Sequence, residues 1–303
     1  MTSTNDNLVD RIQDLKKQRN AVILAHNYQL AEVQAIADFA GDSLELSRKA
    51  AATAADVIVF CGVHFMAETA KILSPHKTVL LPDLHAGCPM ANMITVDQLR
   101  EFKAKYPGRP VVAYVNTSAD VKAESDICCT SANAVKVVES IDAPEVLFVP
   151  DKCLGSYVAS KTSKKIVLYP GYCPTHHRIL GRHVMEQKAE HPNAVVIAHP
   201  ECTPEVVGLA DAVASTSGII KYAAESDQKE FIVCTEQGIL HRLRKDNPNK
   251  KFYSPGSLNV CPNMKKITLE KVLWALEDMV YPIEVPEDVI RKAKAAIDGM
   301  VAI

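Results

Sequence analysis

The sequence predicts an α/β protein made of three homologous three-layer αβα units. Each unit carries a small parallel sheet, and the three are arranged with pseudo-threefold symmetry around a central site. Two series of residues and one alternation predict this. Cysteine is followed by proline three times, at Cys88-Pro89, Cys173-Pro174 and Cys261-Pro262, with gaps of 85 and 88 residues. A second series, His26, Tyr114 and His199, runs in step with gaps of 88 and 85 residues. Each member ends or adjoins an apolar run. Two residues on stands a further polar group, Tyr28, Asn116 or Glu201, and seventeen residues on a hydroxyl, Ser43, Ser131 or Thr216. Self-similarity at one long period marks a repeated unit. This period exceeds that of any solenoid repeat, so each copy should be a small layered domain.

The elements follow in order. Leu8, Ile12 and Leu15 repeat at helical spacing before a strand over 21–25. The stretch 30–40 reads as helix, and Gly41-Asp42-Ser43 ends it and caps the next helix over 44–52. A strand over 57–60, a helix near 65–73 and a strand over 79–81 lead to the first cysteine loop. Thr95-Val-Asp-Gln98 has the form of a capping box before the apolar positions Leu99 and Phe102. Unit two has strands at 111–115, 146–149 and 166–168; unit three has them at 195–198, 231–234 and 251–253. Ile179, Leu180, Val184 and Met185, and later Leu269, Val272, Leu273 and Leu276, mark helices after the second and third cysteine loops. Continuous apolar strands between helices indicate parallel sheets covered on both faces. The units are expected at 1–94, 95–176 and 177–281, with a C-terminal helix within 282–303 packing back on the first.

Composition narrows the function classes. Hydrophobic content of 48% and charged content of 23% are ordinary globular usage. A net charge of −2 gives no electrostatic footprint for nucleic acid or an anionic membrane. The opening residues, Met1-Thr-Ser-Thr-Asn-Asp, lack the basic and apolar segments of a secretion signal, so the expected compartment is the cytoplasm. Nine cysteines there mean thiols or metal ligands rather than disulfides.

Three thiolates at one point read as a metal site with one open coordination position. Structural zinc favours ligands paired closely in sequence, and Cys128-Cys129 lack that spacing. Cys-Pro occurs in cluster-binding loops, and soft thiolates suit iron–sulfur clusters. A cubane with three cysteine ligands leaves one iron free as a Lewis acid. Cys61, Cys128, Cys129, Cys153, Cys202 and Cys234 read as buried structural thiols. Ser43, Ser131 and Thr216 each stand just before a helix, where a hydroxyl and free amides make either an N-cap or an anion site. Three such sites at one cavity suggest a substrate with carboxylates or phosphate. Asn116 adds a neutral donor, and His26, His176 and His199 are donors or proton shuttles. Glu201 is the natural general base, and Tyr28 and Tyr114 orient substrate or pass a proton. A three-cysteine zinc hydrolase or lyase and a non-catalytic ligand-binding or redox-sensing protein are the competing readings.

The strings His26-Asn-Tyr28, Gly41-Asp-Ser43, Gly87-Cys88-Pro89, Tyr114-Val-Asn116, Gly171-Tyr-Cys-Pro-Thr-His176, His199-Pro-Glu-Cys202, Ser215-Thr-Ser-Gly218 and Asn259-Val-Cys-Pro-Asn-Met264 are together specific. Through them the chain resembles the quinolinate synthase (NadA) family over essentially its full length. The resemblance implies three αβα domains around one [4Fe-4S] cluster. It also implies condensation of iminoaspartate with dihydroxyacetone phosphate to quinolinate in NAD biosynthesis, with loss of phosphate and water. By it, Cys88, Cys173 and Cys261 are the cluster ligands, and Tyr28, Tyr114 and Glu201 form the acid/base group. His26, Ser43, Asn116, Ser131, His176, His199 and Thr216 are then substrate contacts. It further raises a transient contact with the L-aspartate oxidase that makes the imine; neither nucleic acid nor membrane is an expected partner. Some longer members carry a C-x₂-C-x₂-C run at the third ligand. Here the corresponding positions are Leu258 and Pro255, which argues against a thiol switch.

Overall fold

The computed structural model describes residues 2–303, and side chains from residue 7 onward. Its strands are β1 (Ala21–His26), β2 (Phe39–Gly41), β3 (Val57–Cys61) and β4 (Thr78–Leu80) in unit one. Unit two holds β5 (Val111–Tyr114), β6 (Ile127–Cys129), β7 (Glu145–Val149) and β8 (Lys165–Leu168). Unit three holds β9 (Val195–Ala198), β10 (Ala212–Val213), β11 (Glu230–Cys234) and β12 (Lys251–Tyr253). They form three parallel four-stranded sheets of one order: β2-β1-β3-β4, β6-β5-β7-β8 and β10-β9-β11-β12. The two middle strands of each sheet are nearly or wholly buried, as their uninterrupted apolar runs require.

The second strand of each unit is the part the apolar pattern hides. The stretch 30–40, expected as one helix, is a short helix Ala31–Ile36 followed by β2. Three aspartates in identical register explain the break. The Asp38 carboxylate accepts the Ile23 N–H at 2.8 Å, Asp126 that of Val111 at 2.7 Å and Asp211 that of Val196 at 2.8 Å. In each case the aspartate's own N–H also bonds back to the carbonyl of that same first-strand residue, at 2.9, 3.1 and 2.9 Å. Each aspartate therefore pins the start of a two- or three-residue edge strand against its neighbour, where ladder bonds alone are few.

The capping box at Thr95 and Gln98 is formed. The C-terminal helix is Glu287–Ala302, and the residues from 280 to 286 are extended, with Pro282 bridged to Leu80. Its apolar face (Ala293, Ala296, Ile297, Met300) packs on helices Ser43–Ala52 and His64–Leu73 of unit one, and more extensively on helix Ala119–Ala123 and β6 of unit two. Asn133 Nδ2 donates to the Met300 carbonyl at 2.9 Å, so this helix clamps two units together. Lys122 is fully buried at the same seam, its ammonium bonded to the Thr117 carbonyl.

Asp38→Ala, Asp126→Ala and Asp211→Ala should each lower stability by about 1–2 kcal/mol, because a charged acceptor is lost and a strand N–H is left unpaired. Urea unfolding of the three variants checks this. A unit whose variant unfolds like the parent holds its edge strand by other means.

Candidate active site

In each sheet the chain direction of strand order reverses between the two middle strands, and ligands bind beyond the C-terminal ends of strands at such a reversal. All three reversals face one cavity. All thirteen residues singled out from the sequence line it. They are Cys88, Cys173 and Cys261; Tyr28, Tyr114 and Glu201; and His26, Ser43, Asn116, Ser131, His176, His199 and Thr216.

His26 ends β1 and His199 follows β9, and the two are built alike. The Tyr28 N–H donates to His26 Nδ1 at 3.1 Å, and the Glu201 N–H donates to His199 Nδ1 at 3.2 Å. An amide N–H only donates, so in both rings Nδ1 carries the lone pair and Nε2 the proton. Burial lowers both histidines to about 3, against the opposing pull of Glu201. They are therefore neutral and offer an Nε2–H donor; that of His199 reaches Ser131 Oγ at 3.1 Å.

Glu201 sits at the centre of a hydrogen-bonded chain. Its Oε1 accepts from the Tyr114 hydroxyl and from Asn116 Nδ2 at 3.4 Å. Its Oε2 lies 2.6 Å from His176 Nδ1, which is also 3.2 Å from Cys173 Sγ. The other ring nitrogen, Nε2, is 2.8 Å from Thr235 Oγ1, and that hydroxyl meets the Tyr28 hydroxyl. The chain thus runs Tyr114, Glu201, His176, Thr235, Tyr28. Burial opposes ionisation of Glu201, but His176 and the Tyr114 hydrogen bond outweigh it and hold the carboxyl well below its usual range. Burial, reinforced by the Glu201 charge, pushes both tyrosines well above theirs, so they remain neutral donors.

The expected caps are placed differently. Ser43 and Thr216 are the first residues of helices Ser43–Ala52 and Thr216–Glu225, and the caps before them are Asp42 and Ser215. Asp42 accepts from the Leu44 and Glu45 amides and from Ser215 Oγ at 3.0 Å, tying units one and three. Ser131 lies in a turn ahead of helix Ala134–Ser140, whose cap is Asn133. None of the three hydroxyls is used as a cap, which leaves them to face the cavity.

The Cys-Pro motif has a local reason. Each sulfur faces the backbone N–H three residues on: Ala91 for Cys88, His176 for Cys173 and Met264 for Cys261. Proline fixes the backbone for that helical turn and lacks only an N–H that the turn leaves unused. The three thiols are part-exposed to the cavity, whereas the other six cysteines are buried, and all nine are free. Burial raises Cys88 to about 12 and raises the other two, so a bound cation is needed to hold them as thiolates. Among the described residues, the ligand atoms that crowd within 4.8 Å of one another as a set of three belong to Cys173, His176 and Glu201, not to the cysteine trio.

The family model described as quinolinate synthetase A protein (NadA) matches residues 10–302. The chain belongs to this family. It is 60% identical over 293 residues to a quinolinate synthase of Dehalococcoides mccartyi, covering 97% of both chains. It is 58% identical to one of Geobacter metallireducens, covering 98% of both, and 57% identical to quinolinate synthase 1 of Methanosarcina acetivorans, covering 98% of this chain and 97% of that one. The family is one of iron–sulfur enzymes, in line with the sulfur donor set. No helix among the described residues is long and apolar enough to cross a membrane.

Sequence reasoning missed Thr235, Glu236, Asp42, Ser215 and Arg178 at this NadA-family site. Thr235 and Glu236 follow β11 as Pro150 and Asp151 follow β7, and as Gly62 and Val63 follow β3. The register repeats but the residue types do not, so no chemical pattern announces them. Glu236, fully buried, accepts from the Cys261 N–H at 3.1 Å and pairs with Lys265 at 3.1 Å.

The neutral histidines carry a pH consequence. Unfolded, each titrates near 6.5; folded, near 3. Between these values the unfolded chain binds more protons, so stability is present in full above pH 6.5 and falls as the pH drops. The slope is up to about 1.4 kcal/mol per pH unit for each ring. Urea unfolding from pH 7.5 to 5 should follow this fall, and His199→Gln should reduce it by about half. An unchanged slope would mean that His199 is charged in the folded protein.

Proposed function

We propose that the chain is a quinolinate synthase. It condenses iminoaspartate with dihydroxyacetone phosphate to quinolinate, releasing phosphate and water, in de novo NAD biosynthesis. The observation that carries this reading is the convergence of three Cys-Pro thiols, three uncapped hydroxyls and the Glu201 chain on one cavity. Cys88, Cys173 and Cys261 would hold one [4Fe-4S] cluster. When bound, that cluster supplies a Lewis acid able to polarise a substrate oxygen.

The protein's own groups account for the rest. The Nε2–H group of His26 and the hydroxyls of Ser43, Ser131 and Thr216, with His199 acting through the Ser131 hydroxyl it holds, donate hydrogen bonds to carboxylate and phosphate oxygens without adding charge that titrates near neutrality. One N–H of Asn116 Nδ2 goes to Glu201, and its Oδ1 is buried without a partner, so that oxygen accepts from a substrate N–H or O–H. Glu201 is ionised and takes a proton from carbon. Tyr114 on one oxygen and His176 on the other then carry protons, the latter through Thr235 to Tyr28, and so to leaving waters. The proton path is bounded by two neutral tyrosines that serve as acids. The cavity is lined on its other side by Val63, Phe65, Met66 and Met90, which limit water around these groups.

Cys88→Ser, Cys173→Ser and Cys261→Ser should each abolish iron retention and activity, because a hydroxyl is a poor ligand for this group. Cys61→Ser and Cys234→Ser should keep both. Iron and sulfide analysis of anaerobically purified protein decides; equal iron in all five variants would remove the ligand assignment, and a colourless zinc protein the cluster itself.

Glu201→Gln should assemble the cluster and bind substrates, while kcat falls by about 10²–10⁴-fold. Iron content, the visible spectrum and quinolinate formation are measured together. Turnover within a few-fold of the parent would move the proton-accepting role away from Glu201.

A further inference from the structure

The charges around the cavity do not balance for anionic substrates. Its lining includes three carboxyl groups, Asp42, Glu201 and Glu236, and the histidines that face it as donors, His26 and His199, are neutral. Lys265 is turned away, bonded to Glu236 and to the Tyr28 carbonyl. Of all the lining residues, one is a lysine or arginine, and that is Arg178. It caps the short helix Pro174–His177 that follows the second cysteine, so its backbone is fixed relative to the thiol and to His176. Its side chain is exposed, and among the described residues its guanidinium has neither an ion-pair nor a hydrogen-bond partner. It also lines the groove bounded by 255–259, so it stands where the cavity meets the outer surface.

From this placement we infer that Arg178 recruits the anionic head group of a substrate, a carboxylate or a phosphate, at the mouth of the cavity. The inference rests on the proposed function for the identity of the substrates. A planar guanidinium on a mobile stem is suited to the task, since it binds either oxyanion through two parallel hydrogen bonds and is always charged. A dianion approaching a carboxylate-lined cavity meets repulsion unless a cation stands at the entrance. An exposed, unpaired arginine supplies that attraction at long range, where salt screens it. As a rim residue it contributes to binding and encounter more than to chemistry.

Arg178→Gln and Arg178→Lys test this, and loss of an exposed, unpaired side chain leaves folding intact. Binding of inorganic phosphate and of malate, a stable four-carbon dicarboxylate, is measured by calorimetry on anaerobic, iron-loaded protein. KM, kcat and the salt dependence of kcat/KM are measured alongside. Arg178→Gln should weaken one of the two probes by roughly 5–30-fold, raise the matching KM by the same factor and leave kcat within about 2-fold. Arg178→Lys should fall between. The salt dependence of kcat/KM should flatten in the glutamine variant. The probe that weakens identifies the head group: phosphate points to the triose phosphate, malate to the imine. Unchanged binding of both probes overturns the inference while quinolinate formation by the parent still upholds the function. A parent that makes no quinolinate overturns the function, and the binding comparison still decides the role of Arg178.

Discussion

An ionised carboxylate held out of water is the constraint on which the rest of this structure depends. Glu201 is only 4% exposed. Such a group is costly to bury unless its lone pairs are met by donors. Both oxygens are met, and the donors come from unit two (Tyr114, Asn116) and from the second cysteine loop (His176). His176 in turn needs Thr235 of unit three, and Thr235 meets Tyr28 of unit one. One buried charge therefore recruits all three units. Loss of their relative placement would leave the buried carboxylate without these partners.

The three units share geometry and divide chemistry. At the end of the first strand stand two histidines and a tyrosine; two residues on stand a tyrosine, an amide and a carboxylate. The scaffold aspartates Asp38, Asp126 and Asp211 are identical because their task is identical, the pinning of an edge strand. The Cys-Pro turns are identical for the same reason. Positions that face the cavity have diverged, since three copies of one residue at a threefold centre would supply only one kind of group. The divergence sets hydroxyl and imidazole donors, an amide and a carboxylate side by side in one cavity.

Much of the fold was legible in the sequence because the middle strands are buried on both faces and read as unbroken apolar runs. The edge strands were not: β2, β6 and β10 have two or three residues each and too few apolar positions to form a pattern. Every cavity residue inferred from spacing lines the cavity, because the repeat carries them to equivalent strand ends. The roles of Ser43 and Thr216 were less legible. A hydroxyl at a helix start reads as a cap, and a neighbour, Asp42 or Ser215, does the capping instead. Thr235 was invisible for a different reason. It has no chemical counterpart at Gly62 or Pro150, so only three-dimensional contact reveals its place between His176 and Tyr28.

The C-terminal helix adds a constraint in time rather than space. Helix Glu287–Ala302 closes the seam between units one and two, although it follows every strand of the three sheets in the sequence. Cys261 and its turn also lie in the final sixth of the chain. During synthesis the strands of units one and two, with Cys88 and Cys173, leave the ribosome before Cys261 does. Their shared seam is still uncovered at that stage. The cavity that the three thiols line is therefore complete only once unit three has been made.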